Sequence, residues 1–132
     1  NGVQFINDSK ATNLHAVASA LNSFKDEKII LIAGGKNKGI SYSEIKQTVK
    51  RNVSSVVLFG ENKFQVEEEW KSETDCHLCN DIDEAVEIAL KLVGNSGIVL
   101  FSPGTSSFDM FNGYEERGNA FKDSVMKFSP KK

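Results

Sequence analysis

The sequence has 132 residues, of which 39% are hydrophobic and 26% charged, with a net charge of −2 and two cysteines. This length predicts one domain with a substantial core. The charge argues against a general affinity for nucleic acid or an anionic membrane. Because the apolar runs are short, we expect neither a membrane span nor a signal peptide. Two cysteines suggest a reducing compartment, and the abrupt start without Met suggests a piece of a longer protein.

The first predicted elements are two strands separated by a helix. A short strand is expected at residues 3–6. A helix follows because apolar residues recur at three- to four-residue spacing over 14–24, with Thr12 or Asn13 as its N-cap. Residues 29–33 then form a continuous apolar run, which is typical of a parallel strand buried on both faces.

The middle of the chain continues the alternation. Ser41 and Glu44 have the spacing of a capping box, which predicts the start of a second helix. Residues 56–59 form another continuous apolar run and predict a strand. The polar segment after this strand has an apolar stripe at Phe64 and Trp70, through which a third helix would pack.

The last part of the chain predicts two more strands and two more helices. A weak strand is expected at 76–78, and Asp81 begins the helix with the clearest apolar face. A third continuous apolar run at 98–101 predicts a buried strand. Apolar residues over 114–128 mark the last helix, and residues 129–132 are expected to fray.

This alternation of strands and helices predicts an α/β fold in three layers, with helices flanking a mostly parallel sheet of about six strands. The expected domain is 1–128. In such sheets ligands bind outside the carboxyl ends of the strands. Three polar segments follow predicted strands, at 7–13, 34–39 and 102–118. We therefore expect them to share one edge and to form one site.

Two of these segments contain lysine beside groups that suit an anion. The first places Asp8 and Lys10 at a strand-to-helix turn, where free backbone N–H groups favour negative charge. The second, residues 34–39, combines glycines, which allow close approach of the backbone, with two lysines. It lacks the spacing of a Walker A loop. A capped helix start and a solvated basic loop remain the plain alternatives.

The third segment contains a run of hydroxyl groups at 102–109 that can cup a carboxylate. Loops without a ligand have the same composition. Glu115 and Glu116 are expected to lie in a solvated first helical turn. Arg117 is expected in a surface ion pair, with Asp109 or a substrate as the alternative partner.

The two cysteines have the spacing C-x-x-C, at Cys76 and Cys79. A zinc site needs four ligands, and the sequence offers no second pair of Cys or His to complete it. A redox pair normally stands at a helix start, whereas this segment reads as a strand. We interpret both cysteines as structural, and His15 as a packing or surface residue.

Three segments together resemble the C-terminal domain of the muramyl ligases, in the branch that adds D-glutamate. They are VQFINDSKATN at 3–13, GGKNKG at 34–39 and SPGTSSFDMFNGYEERGNAF at 102–121. The patterns D-S-K-A-T-N and S-P-x-x-x-S-x-D-x-F…R-G-x-x-F are the most specific of these marks. The resemblance extends over essentially the whole chain in the same order.

The resemblance implies a Rossmann-like domain of a cytoplasmic bacterial enzyme of peptidoglycan synthesis. Such an enzyme is an ADP-forming ligase that joins D-glutamate to UDP-N-acetylmuramoyl-L-alanine through an acyl phosphate. It uses ATP and Mg²⁺, bound mainly by a central domain over which this domain closes. The N-terminal UDP-binding and central ATPase domains are absent from these 132 residues, so the chain alone is expected to be inactive.

The same resemblance implies roles for individual residues. Those expected to hold D-glutamate are Thr12, Lys38, Ser107 and Tyr114, with Phe108 beside them. Asp8 would face the nucleotide ribose, and Lys10 would lie near the reacting phosphate as the catalytic residue. No metal ligand is expected in this chain. The family commonly has Phe in place of Tyr114 and often Leu in place of Phe108, so the side-chain roles of these two residues stay open. Some members have Cys in place of Thr105, and a thiol role at that position is excluded here.

Two alternatives remain open from the sequence. The first is a ligase for another amino acid, such as L-lysine, diaminopimelate or the L-glutamate of folylpolyglutamate synthetases. The second is a non-catalytic Rossmann-like module that binds a nucleotide or an anionic metabolite, since three polar loops and the missing P-loop suit that interpretation too.

Overall fold

The computed structural model describes residues 2–24, 26–105 and 111–128. Within them, strands and α-helices alternate as the sequence predicts. The strands are β1 (Gly2–Asn7), β2 (Ile29–Gly34), β3 (Ser55–Phe59), β4 (Asp75–Leu78) and β5 (Ser96–Phe101). The α-helices are α1 (Leu14–Ser23), α2 (Lys46–Asn52), α3 (Lys63–Trp70), α4 (Ile82–Val93) and α5 (Tyr114–Phe128), and a 3₁₀ turn, Tyr42–Ile45, precedes α2. The predicted frayed tail at 129–132 lies outside the described residues.

The strands form a single sheet in the order β1-β5-β2-β3-β4, and every neighbouring pair is parallel. The predicted parallel α/β sheet is confirmed, but the described residues contain five strands rather than about six. The sequence has five extended apolar runs, and each forms one strand. β5 lies between β1 and β2, so the loops that follow these three strands are neighbours at one edge.

Two hydrophobic clusters on opposite faces of the sheet confirm the three layers. Ile29, Leu31 and Ala33 of β2 belong to the cluster under α1, α2 and α3. Ile30 and Ile32 of the same strand belong to the cluster under α4 and α5. Because alternate residues are buried on opposite faces, the strand is apolar without interruption. No helix within the described ranges is long and apolar enough to cross a membrane.

The predicted helix starts at Asn13 and Asp81 are confirmed. The Asn13 side chain accepts a hydrogen bond from the N–H of Ala16, at 2.9 Å. The Asp81 carboxylate accepts one from the N–H of Glu84, at 2.8 Å. Each cap satisfies a backbone donor that the first helical turn leaves free.

Two other local predictions are wrong. Ser41 makes no side-chain capping bond; a carboxylate from α3, that of Glu69, instead accepts from the N–H of Ser43 at 3.0 Å. In α3 itself, Phe64 is 66% exposed, whereas Val66 is buried beside the predicted Trp70. Val66 and Trp70 are four residues apart and lie on one helix face, while Phe64 projects from another.

Candidate functional site

The three polar segments meet at the carboxyl edge of the sheet, as predicted, and backbone hydrogen bonds join them. The N–H of Asp8 donates to the carbonyl of Phe101, at 2.8 Å. The N–H of Gly34 donates to the carbonyl of Pro103, at 3.0 Å. The loop that follows β5 is therefore attached to the loops that follow β1 and β2, and it lies between them.

Asp8 and Lys10 stand in the loop between β1 and α1. Asp8 is half-buried, and its carboxylate accepts a hydrogen bond from the hydroxyl of Ser102, at 2.9 Å. Lys10 is exposed and lines two open cavities. One of about 320 Å³ is formed by Asn7, Ser9, Lys10, Tyr114, Glu115, Gly118 and Asn119. The other, of about 600 Å³, runs between the loop and α1 and also includes Asp8.

The remaining predicted site residues occupy different places. Tyr114, at the start of α5, is 45% exposed and shares the smaller cavity with Lys10. Thr12 is exposed in the loop before α1, and Lys38 is exposed in the loop after β2. Ser107 and Phe108 lie outside the described residues. The structure thus brings Lys10 and Tyr114 to one cavity and sets Thr12 and Lys38 on neighbouring loops of the same edge.

Arg117 is the main correction to the sequence analysis. The predicted surface ion pair is wrong, because the side chain is completely buried. Its Nε donates to the hydroxyl of Ser9 at 2.9 Å, its Nη2 to the carbonyl of Ser9 at 2.6 Å and its Nη1 to the carbonyl of Thr105 at 2.9 Å. The planar guanidinium has five donors in a fixed geometry, which suits it to join two loops at once.

The loop between β1 and α1 is also attached to α5 through Ser9. The hydroxyl of Ser9 donates to the carbonyl of Tyr114, at 2.8 Å. Beside it, a Cβ on Gly118 would lie 3.1 Å from Nδ2 of Asn7 and 3.2 Å from Cβ of Ser9. The helix approaches the loop this closely because Gly118 has no side chain. Arg117 and Gly118, the R-G pair of the sequence, therefore both join α5 to the loop that carries Lys10.

The loop after β2, which carries Lys36 and Lys38, is also held in place by its neighbours. Gly34 has a φ of 117°, and a Cβ there would lie 2.1 Å from the carbonyl oxygen of Phe59. Glycine is required at this strand end by both the backbone conformation and the space. Thr105, 1% exposed, donates from its hydroxyl to the carbonyl of Lys36, at 3.0 Å. Residues 34–39, the basic loop, are therefore fixed against the loop that follows β5.

The two cysteines do not form a reactive pair. Cys76 packs against one hydrophobic cluster and Cys79 belongs to the other, so the two thiols lie on opposite faces of the sheet. Burial, assisted by nearby carboxylates, raises the pKa of Cys76 to about 11 and that of Cys79 to about 12. Both are therefore thiols at neutral pH and poor nucleophiles. Where residues are described, no group of three or more His, Cys, Asp or Glu side chains is placed to hold a metal ion.

Sequence reasoning missed the supporting residues of the site. Arg117, Ser9 and Ser102 act on the loops through hydrogen bonds that join distant parts of the chain. The signals were present in the hydroxyl run after β5 and in the R-G pair, but spacing alone does not reveal which polar groups become buried together.

Comparison with known proteins gives a match to one family. A family profile described as "Mur ligase, glutamate ligase domain" matches residues 1–104. That match covers β1 to β5 and includes the first two polar segments and the beginning of the third.

Individual proteins are similar over almost the whole chain. A UDP-N-acetylmuramoylalanine–D-glutamate ligase of Citrifermentans bemidjiense is 50% identical over 95% of this chain, and one of Bdellovibrio bacteriovorus is 47% identical over 96%. A protein of the same name from Aquifex aeolicus is 44% identical over 95%. This chain spans only 27% of the first two relatives and 30% of the third.

Proposed function

Because this chain belongs to the Mur ligase family and contains its glutamate ligase domain, we propose that it is the amino-acid-binding part of an ADP-forming ligase. The proposed reaction joins D-glutamate to UDP-N-acetylmuramoyl-L-alanine, the activity named for the relatives. One observation supports it most: the loops that carry Lys10 and Lys38 flank a hydroxyl-bearing loop at the carboxyl edge of the sheet. Such an edge suits an anionic substrate.

The proposed reaction has two steps. The carboxylate of UDP-N-acetylmuramoyl-L-alanine attacks the γ-phosphorus of ATP, which gives an acyl phosphate and ADP. The amine of D-glutamate then attacks the acyl carbon, an amide forms, and phosphate leaves. Lys10 would stabilise negative charge on the transferring phosphoryl oxygens, and Asp8 would face the ribose of the nucleotide.

The amino-acid substrate has two carboxylates and one ammonium group. We propose that Lys38 and the hydroxyls of Thr12 and Ser107 bind the carboxylates, that Tyr114 also holds the amino acid, and that Phe108 lies beside them. Hydrogen bonds to a charged carboxylate are stronger than those between neutral groups. The amine has to be free and deprotonated to attack, so no acidic residue of this domain is assigned to it.

The magnesium ion that accompanies ATP is not assigned to this domain. In the described part of the chain no three potential ligands converge, and Asp8 is already bound by Ser102. We propose that the nucleotide and its metal are held mainly by other parts of the complete enzyme, in the bacterial cytoplasm. Closure of this domain over them would orient the reactants and exclude water that hydrolyses the acyl phosphate.

The test is phosphate release by the complete ligase that carries this domain, supplied with ATP, UDP-N-acetylmuramoyl-L-alanine and one amino acid at a time. We expect turnover with D-glutamate and little with L-glutamate, L-lysine or diaminopimelate. The 132-residue chain alone serves as a control and should not turn over. Preference for another amino acid, or no turnover by the complete protein, would refute the proposal.

A separate titration distinguishes the ligase from a non-catalytic nucleotide-binding module. The isolated chain is titrated with ADP and with D-glutamate while its amide NMR signals are recorded. Shifts near Thr12 and Lys38 with D-glutamate support the proposed site. Shifts with ADP alone support the module.

A further inference from the structure

A fourth loop, which the sequence analysis did not include, supports the basic loop from the side opposite the loop that follows β5. It joins β3 to α3, and its residues are Gly60, Glu61 and Asn62. Because β3 neighbours β2 in the sheet, this loop stands next to residues 34–39. The basic loop is consequently held between two loops.

Asn62 anchors the beginning of the basic loop. The side chain is 3% exposed, and its Oδ1 accepts a hydrogen bond from the N–H of Gly35, at 2.9 Å. The backbone N–H of Asn62 donates to the carbonyl of Gly35, at 3.1 Å. Both backbone groups of Gly35 are thus bound by a single residue. A buried asparagine in a loop is uncommon unless its polar atoms are bonded in this way.

Glu61 anchors the part of the loop that carries Lys38. Its carboxylate accepts a hydrogen bond from the N–H of Asn37, at 2.7 Å. The side chain of Asn37 in turn accepts one from the N–H of Gly39, at 3.1 Å. These two bonds fix the backbone on both sides of Lys38, whose own side chain is left to reach into solvent.

Fixing this backbone matters because of the composition of the loop. Three of the six residues at 34–39 are glycine, so the free loop would have many conformations. Lysine adds a flexible four-carbon stem that ends in a point charge. A ligand that had to order both the loop and the stem would bind more weakly.

We infer that Glu61 and Asn62 are positioning residues that set the location of Lys38 and thereby the affinity for a carboxylate of the amino-acid substrate. This inference rests on the proposed function. The bonds that join the two residues to the basic loop are to its backbone. The two residues should therefore affect binding of the amino acid more than binding of ATP.

The test measures KM and kcat of the complete ligase for Glu61→Ala and Glu61→Gln. Glu61 is exposed, so both variants should fold. Loss of the charge-assisted bond in Glu61→Ala should raise KM for D-glutamate by about tenfold, with KM for ATP little changed. Glu61→Gln keeps an acceptor oxygen and should recover most of this loss. Asn62→Ala should act in the same direction, with an added loss of stability.

A double-mutant cycle shows whether Glu61 acts through Lys38. Adding Glu61→Ala to Lys38→Met should raise KM no further, because the lysine that Glu61 positions is gone. Ser124→Ala is the matched control, since it removes a polar side chain that is 1% exposed and bonded to Asp83, on the opposite face of the sheet. It should lower stability without a selective effect on KM for D-glutamate.

The outcomes separate this inference from the proposed function. An unchanged KM in Glu61→Ala, or an equal increase with and without Lys38, would overturn the inference while wild-type D-glutamate ligation still supports the function. A wild-type enzyme that ligates another amino acid would overturn the function and, with it, the carboxylate assigned to Lys38. Amide hydrogen exchange at Asn37 checks the geometry without substrate: it should be faster in Glu61→Ala, and equal rates would contradict the positioning role.

Discussion

Arg117 shows how one side chain organises the carboxyl edge of the sheet. A buried guanidinium is unfavourable unless its donors are satisfied, and here they bind Ser9 and Thr105, which belong to different loops. The sequence could not predict this burial. A charged residue in the first turns of a helix is exposed by default, and the carbonyl groups that receive it come from residues 108 and 12 positions away.

We predict that Arg117→Met destabilises the domain by about 3 kcal/mol, because at least two buried carbonyls lose their donor. Arg117→Lys should fall between this variant and the wild type, since one ammonium cannot reproduce the three bonds. Urea unfolding followed by circular dichroism measures the difference. Lys122→Met, at an exposed position of the same helix, is the control and should be nearly neutral. An Arg117→Met variant as stable as the control would contradict the burial.

Secondary-structure elements were predictable where the local signal is strong. The Asn13 and Asp81 caps and the uninterrupted apolar runs of β2, β3 and β5 are confirmed. The capping box at Ser41 failed because a carboxylate from another helix reaches the same backbone. The exposed Phe64 shows a second limit: in a short, polar helix, two aromatic residues six positions apart do not determine which face packs.

At this scale we predict that Asn13→Ala lowers the free energy of unfolding by about 1 kcal/mol, since the N–H of Ala16 loses its acceptor. Thr12→Ala should have a much smaller effect on stability, although the sequence allowed either residue as the cap. Thermal or urea unfolding of the two variants side by side measures this. A larger loss in Thr12→Ala would mean that the helix begins one residue earlier.

For the whole molecule, the class of fold and the meeting of the three polar segments at one edge followed from sequence, whereas the expectation of about six strands was one too many and the supporting loops were not predicted. The order β1-β5-β2-β3-β4 places the three polar segments side by side. It also brings the β3–α3 loop to the site, although nothing in Glu61 or Asn62 as sequence distinguishes them from ordinary turn residues. Only the neighbouring position of β3 places them against residues 34–39.

The sheet buries one thiol on each of its faces, that of Cys76 only in part, and this burial has a consequence for stability at high pH. The pKa values of about 11 for Cys76 and about 12 for Cys79 lie above the value of about 8.5 for an unfolded cysteine. For a group with a raised pKa in the folded state, the stabilisation is complete below the unfolded pKa and is lost as pH rises through the folded pKa. Stability should therefore fall from about pH 9 upward, with a limiting slope of about 1.4 kcal/mol per pH unit for each thiol.

Urea unfolding of the domain at pH 8, 9 and 10 tests this prediction, with reductant present throughout. The Cys76→Ala/Cys79→Ala variant is the reference, because it lacks both groups and should have a shallower pH dependence over the same range. Identical slopes would mean that neither thiol is shielded from water in the folded protein.

The pairing of β1 with β5 has a consequence for the order in which the site is built on the ribosome. Gly2 pairs with Ser96 and Asn7 with Phe101, so within the described part of the chain β1 pairs only with β5, which is synthesised much later. The hydrogen bonds between Ser9 and Arg117 form later still, because Arg117 belongs to α5. Contacts between such distant residues form late and slowly. Nascent chains that stop before β5 would therefore leave this edge of β1 unpaired, and those that stop before α5 would lack the Arg117 bonds to Ser9 in the Asp8–Lys10 turn.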